Sequence, residues 1–204
     1  MIAIIDYGMG NLASIENMIK KAGGKAIITS DKEQIIAAGA MILPGVGSFD
    51  HAVNKFEESG LKTVILESVA KGKPLLGICL GMQLLFDSSE EGELSGLGII
   101  PGKVISFDFK NTDIKIPHMG WNNISPTCNS GDNLYKGLVE NNRFYFVHSY
   151  HVMCDDEKDV AATCEYGKKF VCSVQKGRVY GAQFHPEKSH KFGKAFFENF
   201  ISLI

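Results

Sequence analysis

Strands alternate with helices through the first half of this chain, and each strand is an unbroken apolar run. That pattern predicts an α/β fold: an open, mostly parallel central sheet with flanking helices. Between residues 102 and 174 the pattern changes to successive strand-like runs, which predicts a mixed or antiparallel sheet added to the core. Three polar or glycine-rich segments follow directly on predicted strands, the position where open α/β sheets carry their sites.

Residues 1–6 form a short apolar run that ends at the turn residues Tyr7-Gly8-Met9-Gly10-Asn11. Leu12, Ile15, Ile19 and Ala22 then recur on one face of a helix, which Gly23-Gly24 stops. Residues 25–30 read as a second strand, and Asp31 as the cap of a short helix. Residues 40–43 are a third strand, ending abruptly at Pro44-Gly45. A helical stretch over 61–70 leads to a fourth strand, 74–78, which runs straight into Cys79, with an apolar helical run through Leu84-Leu85-Phe86 beyond it. Later strands are expected over 104–109, 144–152, 160–165, 170–175 and 179–184, and a closing helix over 192–203. With no repeat, low-complexity stretch or linker, the expectation is one domain over residues 1–204.

The composition, 45% hydrophobic and 22% charged, is that of an ordinary globular chain, and the net charge of -2 offers no field for nucleic acid or an anionic membrane. Lys and Arg are scattered, no run approaches a membrane span, and the start of the sequence has no basic leader, so a cytoplasmic protein is expected. The five cysteines, Cys79, Cys128, Cys154, Cys164 and Cys172, are odd in number and lack metal-type spacing. They read as thiols of a reducing compartment, and four of them as small buried hydrophobes.

Cys79 differs by its context. In Gly77-Ile78-Cys79-Leu80-Gly81-Met82-Gln83, glycines flank a central nucleophile type between strand and helix, the pattern of a nucleophile elbow with Cys in place of Ser. Small neighbours are needed because the nucleophile occupies a strained turn. The helix start beyond it favours thiolate and aims backbone N–H groups at a developing oxyanion. The bland alternative is a glycine-rich turn around an inert thiol. His185-Pro186-Glu187 supplies what such a thiol lacks, a base and an orienting carboxylate held by a fixed turn. Pro44-Gly45-Val46-Gly47-Ser48-Phe49 is the third segment. Its glycines allow close backbone approach or a flipped N–H, which fits an oxyanion loop across from Cys79. His51, His118, His148, His151 and His190 lack an obvious acid partner or metal spacing and are taken as structural or surface residues.

These segments resemble the class I glutamine amidotransferases, with Cys, then His, then Glu two residues later. More narrowly, the chain is similar to the glutaminase subunits of imidazole glycerol phosphate synthases. That match rests on residues 6–12, 44–49 and 77–86, on Pro117-His118-Met119-Gly120-Trp121-Asn122, on residues 144–150 and on Gln183-Phe184-His185-Pro186-Glu187-Lys188-Ser189. The resemblance implies a flavodoxin-like fold with Cys79 as nucleophile, His185 as base and Glu187 as its orienter. It puts Gly45, Val46 and Gly47 in the oxyanion strand, with Leu80 beside them after the nucleophile. It gives Gln83, Glu91, Ser149 and Tyr150 to glutamine, and Asn11, Ser14, Trp121, Tyr145 and Lys188 to the interface with a (β/α)-barrel cyclase subunit. It implies a heterodimer acting on L-glutamine in histidine biosynthesis, with no metal or organic cofactor on this subunit.

Two alternatives stand beside it. Gly8-Met9-Gly10-Asn11-Leu12-Ala13 follows a strand and fits a G-x-G-x-x-A dinucleotide fingerprint, with Asp31 where a ribose-binding acid belongs. This explains one loop and leaves Cys79 and His185 idle. The other keeps the glutaminase chemistry but feeds a synthase-like partner in surface-polysaccharide sugar biosynthesis. Neither the segment His148-Ser149-Tyr150-His151 nor the loop at 127–132 decides between the two partners.

Overall fold

The structure, a computed structural model, describes residues 1–109, 113–127, 134–138 and 142–204. Cys128 and positions 128–132 of the loop named above lie outside the described residues. In chain order the elements are β1 (Ile2–Ile5), α1 (Leu12–Lys21), β2 (Ala26–Thr29), α2 (Lys32–Ala37), β3 (Ala40–Leu43), α3 (Phe49–Ser59), α4 (Lys62–Ala70), β4 (Leu75–Ile78) and α5 (Leu80–Gln83). Then come β5 (Ser88–Ser89), β6 (Gly102–Ser106), β7 (His118–Asn122), β8 (Ile124–Pro126), β9 (Phe144–His148), β10 (Tyr150–Cys154), β11 (Val160–Tyr166), β12 (Lys168–Lys176), β13 (Val179–Ala182) and α6 (His190–Ser202).

The core of the main sheet is parallel, in the order β2-β1-β3-β4-β13. Beyond β13 the sheet turns antiparallel through β12, β10 and β6, with β11 and β8 branching from β12. β7 and β9 form a separate antiparallel pair. The expected α/β fold with an added mixed sheet is therefore present.

Strand periodicity explains the two cores. Ile2 and Ile4 face one side with Ile42, Leu76 and Ile78, where α1 and α6 bring Ile15, Ile19, Phe196, Phe197 and Phe200. Ala3 and Ile5 face the other, with Met41, Leu43 and Leu75, against Ile35, Val53, Phe56 and Ile65 of α2, α3 and α4. Both faces of the parallel strands are thus covered, which is why those strands carry no polar alternation. Gly24 N–H closes on the Ile19 carbonyl and Gly23 N–H on Lys20, ending α1 where the two glycines stand. Asp31 caps α2 through a 2.9 Å bond from Gln34 N–H.

Two expectations need correction, and one helix went unread. The run 144–152 is two strands, not one: the chain leaves the small sheet at Ser149, whose carbonyl accepts from Phe107 N–H, and enters the main sheet as β10. Leu84-Leu85-Phe86 is not helical. Its carbonyls accept from Leu97, from Ile99 and Ile100, and from Gly98 instead of from the next helical turn, so α5 is a single turn. The helix α3, with Phe49, Ala52, Val53 and Phe56 buried, had the apolar spacing of a helix and was not assigned to one.

Candidate active site

Parallel pairing of β4 with β13, in the register Ile78↔Ala182, brings the two motif-bearing strand ends side by side. Cys79 N–H donates to the Ala182 carbonyl at 2.7 Å. The residues just past the register are therefore Cys79 on one strand and Gln183 on the other, with His185 two further on.

Cys79 has φ 54° and ψ -113°, outside the regions that non-glycine residues populate. Its neighbours are shaped to permit this. A Cβ on Gly81 would lie 1.9 Å from the Leu43 carbonyl oxygen, and one on Gly77 would lie 2.6 Å from the Gly81 carbonyl oxygen. Elbow, β3 and β4 thus meet backbone to backbone, with no room for side chains. Strain held at one residue by such packing is the mark of a functional turn. Because α5 is one turn long, any help to a thiolate comes from the first N–H groups of that turn more than from a macrodipole.

His185 is 3% exposed, and its Nδ1 donates to Glu187 Oε1 at 2.8 Å. Burial works against the charged imidazole, but hydrogen bonding and charge from Cys79, and then from Glu187, outweigh it and raise its pKa to about 10. Nε2 makes no well-aligned hydrogen bond among the described residues, so Cys79 acts on it as a close neighbour and not through ideal geometry. Apo sites commonly tighten this contact only around substrate. The turn bearing His185 and Glu187 is pinned to β9: His185 N–H donates to the Tyr145 carbonyl, and Ser189 Oγ joins the His185 carbonyl to Tyr145 N–H.

A cavity of about 350 Å³ opens over the thiol. Val46, Gly47, Leu80, Gln83, Glu91, Ser149 and Tyr150 line it together with Cys79 and His185. Gly45 lies beneath: a Cβ there would meet Gly81 N at 2.7 Å and Leu80 Cβ at 2.9 Å. Gln83 is not a free arm; its Nε2 donates to the Tyr150 carbonyl at 3.2 Å and to Gln183 Oε1 at 3.0 Å. Glu91 Oε2 accepts from Phe49 N–H at 2.8 Å, which holds the carboxylate at the rim. Tyr150 comes into the cavity because of the strand break at Ser149.

Trp121, Tyr145 and Lys188 gather on one face. Trp121 and Tyr145 are cross-strand partners with ring centroids 6.0 Å apart, and Lys188 Nζ lies 5.7 Å from the Tyr145 ring centroid. Exposed Asn11 and half-buried Ser14 open α1, which packs against the turn that carries Lys188.

Sequence reading overlooked two residues here. His148 also lines the cavity; its Nδ1 donates to the Tyr150 carbonyl at 2.8 Å, and its Nε2 accepts from His118 Nδ1 at 3.0 Å. Burial lowers the pKa of His118 to about 4 and that of His148 to about 3, so both are neutral hydrogen-bonding parts and not bases. The other is Gln183, fully buried, whose Nε2 donates to Cys79 Sγ at 3.7 Å. Alternation along β13 was the available signal: an amide inside an apolar strand end needs a partner.

The dinucleotide alternative fails locally. Asp31 is engaged as the α2 cap, and a Cβ on Gly10 would meet the Pro44 ring at 2.9 Å, so that glycine serves packing. Among the described residues no three His, Cys, Asp or Glu side chains gather as metal ligands, and no helix is long and apolar enough to cross a membrane.

Comparison with known proteins agrees with this geometry. The family glutamine amidotransferase class-I matches residues 3–203. A Methanococcus maripaludis protein named imidazole glycerol phosphate synthase subunit HisH 2 is 55% identical over 202 residues, covering 98% of each chain. A Pseudomonas aeruginosa protein of the same name is 47% identical, covering 100% of each. Among solved structures, a glutamine amidotransferase superposes with TM-score 0.77 at 20% identity, covering 100% of this chain and 98% of that one. PurLQS from Thermotoga maritima gives 0.74 at 17%, covering 99% and 97%. Matched almost from end to end and carrying a strained Cys beside a His–Glu pair, this chain belongs to the class I glutamine amidotransferases.

Proposed function

We propose that the chain is the glutaminase subunit of an imidazole glycerol phosphate synthase, working in the cytoplasm with a (β/α)-barrel cyclase subunit. One observation carries the chemistry: Cys79, at positive φ, shares one cavity with His185, which Glu187 orients. The names of the relatives described above support the histidine-pathway partner and do not favour the sugar-biosynthesis alternative.

In this reading the Cys79 thiolate attacks the side-chain amide carbon of L-glutamine. Backbone N–H groups of the 45–47 loop and of Leu80 stabilise the tetrahedral oxyanion. The imidazolium of His185 protonates the departing nitrogen, ammonia leaves, and a glutamyl thioester remains. Water, deprotonated by the now neutral His185, cleaves the thioester to glutamate and restores the thiolate. Glu187 holds the imidazole by Nδ1 and favours its charged form. Gln83, Glu91, Ser149 and Tyr150 shape the glutamine site, and Asn11, Ser14, Trp121, Tyr145 and Lys188 meet the cyclase.

The test is a glutaminase assay with an electrophilic glutamine analogue as covalent probe. The expected result is labelling of Cys79 alone and loss of ammonia release in step with it. Labelling of another cysteine, or full activity after Cys79 is blocked, overturns the assignment.

A further inference from the structure

We infer that Gln183 is a further catalytic residue, donating a hydrogen bond to the nucleophilic sulfur. The inference rests on Cys79 being the nucleophile. Gln183 is fully buried, its backbone N–H is tied to the Cys172 carbonyl at 2.9 Å, and its Nε2 reaches Cys79 Sγ at 3.7 Å.

The direction of the amide is set by its neighbours. The Tyr150 carbonyl accepts from His148 Nδ1 at 2.8 Å and from Gln83 Nε2 at 3.2 Å, and the same Gln83 nitrogen donates to Gln183 Oε1 at 3.0 Å. Rotating the Gln183 amide by half a turn sets two NH₂ groups against each other and turns a carbonyl oxygen toward the sulfur. The chain His148, Tyr150, Gln83, Gln183 therefore leaves an N–H aimed at Sγ.

That N–H has work at two points. Before attack it favours thiolate over thiol, as any donor to a charged form does. In thioester hydrolysis the sulfur is the leaving group, and a donor on it stabilises the negative charge that it takes up when the carbon–sulfur bond breaks. In the covalent intermediate the sulfur carries no charge, so the bond is weakest where it is least needed, which is the condition for a rate effect.

Alkylation of Cys79 by iodoacetamide, followed by peptide mass mapping against pH, tests this in the full chain. The midpoint reports the coupled Cys79–His185 pair. Gln183→Met, similar in length and unable to donate, is expected to move it upward by about one pH unit, or roughly tenfold less thiolate below the midpoint. Gln183→Glu, with a carboxylate facing the sulfur, is expected to move it at least as far. Both variants should lower kcat with little change in KM. Should either variant fold poorly, the unmodified chain labelled with nitrogen-15 glutamine decides: one buried side-chain amide should titrate with Cys79 and stop doing so in Cys79→Ala. Unmoved midpoints, or no titrating amide, overturn the role of Gln183. An unmodified chain that is not alkylated at Cys79 at all overturns the nucleophile assignment itself.

Discussion

The Tyr7 hydroxyl donates a 2.7 Å hydrogen bond to the Pro44 carbonyl, so the turn that follows the first strand pins the loop that follows the third. Burial, and then the charge of Cys79, raises the Tyr7 pKa far above the ordinary phenol range and keeps it a donor. Tyr7→Phe keeps the edge contact with Phe56, whose ring centroid is 5.4 Å away, and removes only the hydroxyl. The expected cost is about 1–2 kcal/mol, from a carbonyl left unpaired in the interior. Urea denaturation of both proteins checks it; equal midpoints mean that packing alone holds the loop.

Gly81→Ala places a methyl group 1.9 Å from a backbone oxygen, where no side-chain rotation relieves it. A loss of more than about 3 kcal/mol is expected, since backbone must move. Gly72→Ala is the control: φ is +81° but nothing lies within 4 Å, so about 1 kcal/mol is expected. Comparable losses at the two positions in thermal unfolding would mean that the elbow is not close-packed in solution.

Cys79→Ala should retain the fold and lose glutaminase activity, while Cys154 and Cys164, whose thiols burial raises to about 12, and Cys172, whose thiol burial raises well above the ordinary range, should tolerate Ala or Ser with activity intact. Glu187→Gln keeps a hydrogen bond to His185 Nδ1 but removes the charge that favours imidazolium. Turnover should fall about a hundredfold or more with KM nearly unchanged. A change confined to KM would make Glu187 a binding residue.

His118, His148 and His151 give the chain an acid limit. Burial lowers them to about 4, about 3 and about 4 from an ordinary 6.5. Their folded pKa values lie below the unfolded ones, so between these limits the unfolded chain binds more protons, and stability rises with pH. The contribution is complete above about pH 6.5 and is lost as pH falls toward 4. Melting temperatures over that window should drop steeply, and less so in His118→Phe/His148→Leu measured relative to its own plateau. A flat profile would show that the cluster opens to water.

Much of this was legible because local chemistry and tertiary role coincided. Gly23-Gly24, Asp31 and Pro44-Gly45 mark real ends because their backbone demands are local. Cys79 and His185 could be paired on paper because each follows a strand, and strand ends in such sheets converge. What stayed hidden depends on partners remote in sequence. The break at Ser149 is made by Phe107, and the end of α5 at Gln83 by carbonyl partners between Leu97 and Ile100. Gln183 looked like one more strand residue until the β4–β13 register set it beside a sulfur 104 positions away.

The loop Pro44-Gly45-Val46-Gly47 divides into a fixed half and a free half, and this locates the switch by which a cyclase partner is expected to turn the glutaminase on. Pro44 is tied to Tyr7, and Gly45 is wedged against Gly81 and Leu80. Val46 is 42% exposed, and Gly47 has φ +99° with only the Met9 side chain near its Cβ position. Rotation is therefore confined to the Val46–Gly47 peptide, which borders the cavity. Bringing one N–H into the oxyanion site is worth on the order of 3 kcal/mol, or about a hundredfold in rate. A partner needs only to bind the two loop states unequally. Its route is short, since Trp121, Tyr145 and Lys188 sit on the face whose Tyr145 carbonyl anchors His185. Alanine disfavours the left-handed φ at 47 by about 1–2 kcal/mol, so Gly47→Ala should depopulate the resting loop. The expected outcome is a slow reaction for the chain alone, a rate up to about tenfold higher in Gly47→Ala, and a correspondingly smaller activation by the cyclase with its nucleotide ligand. Steady-state ammonia release from the chain alone, with cyclase, and with cyclase plus ligand reads all three; a fast chain that neither addition accelerates removes the switch.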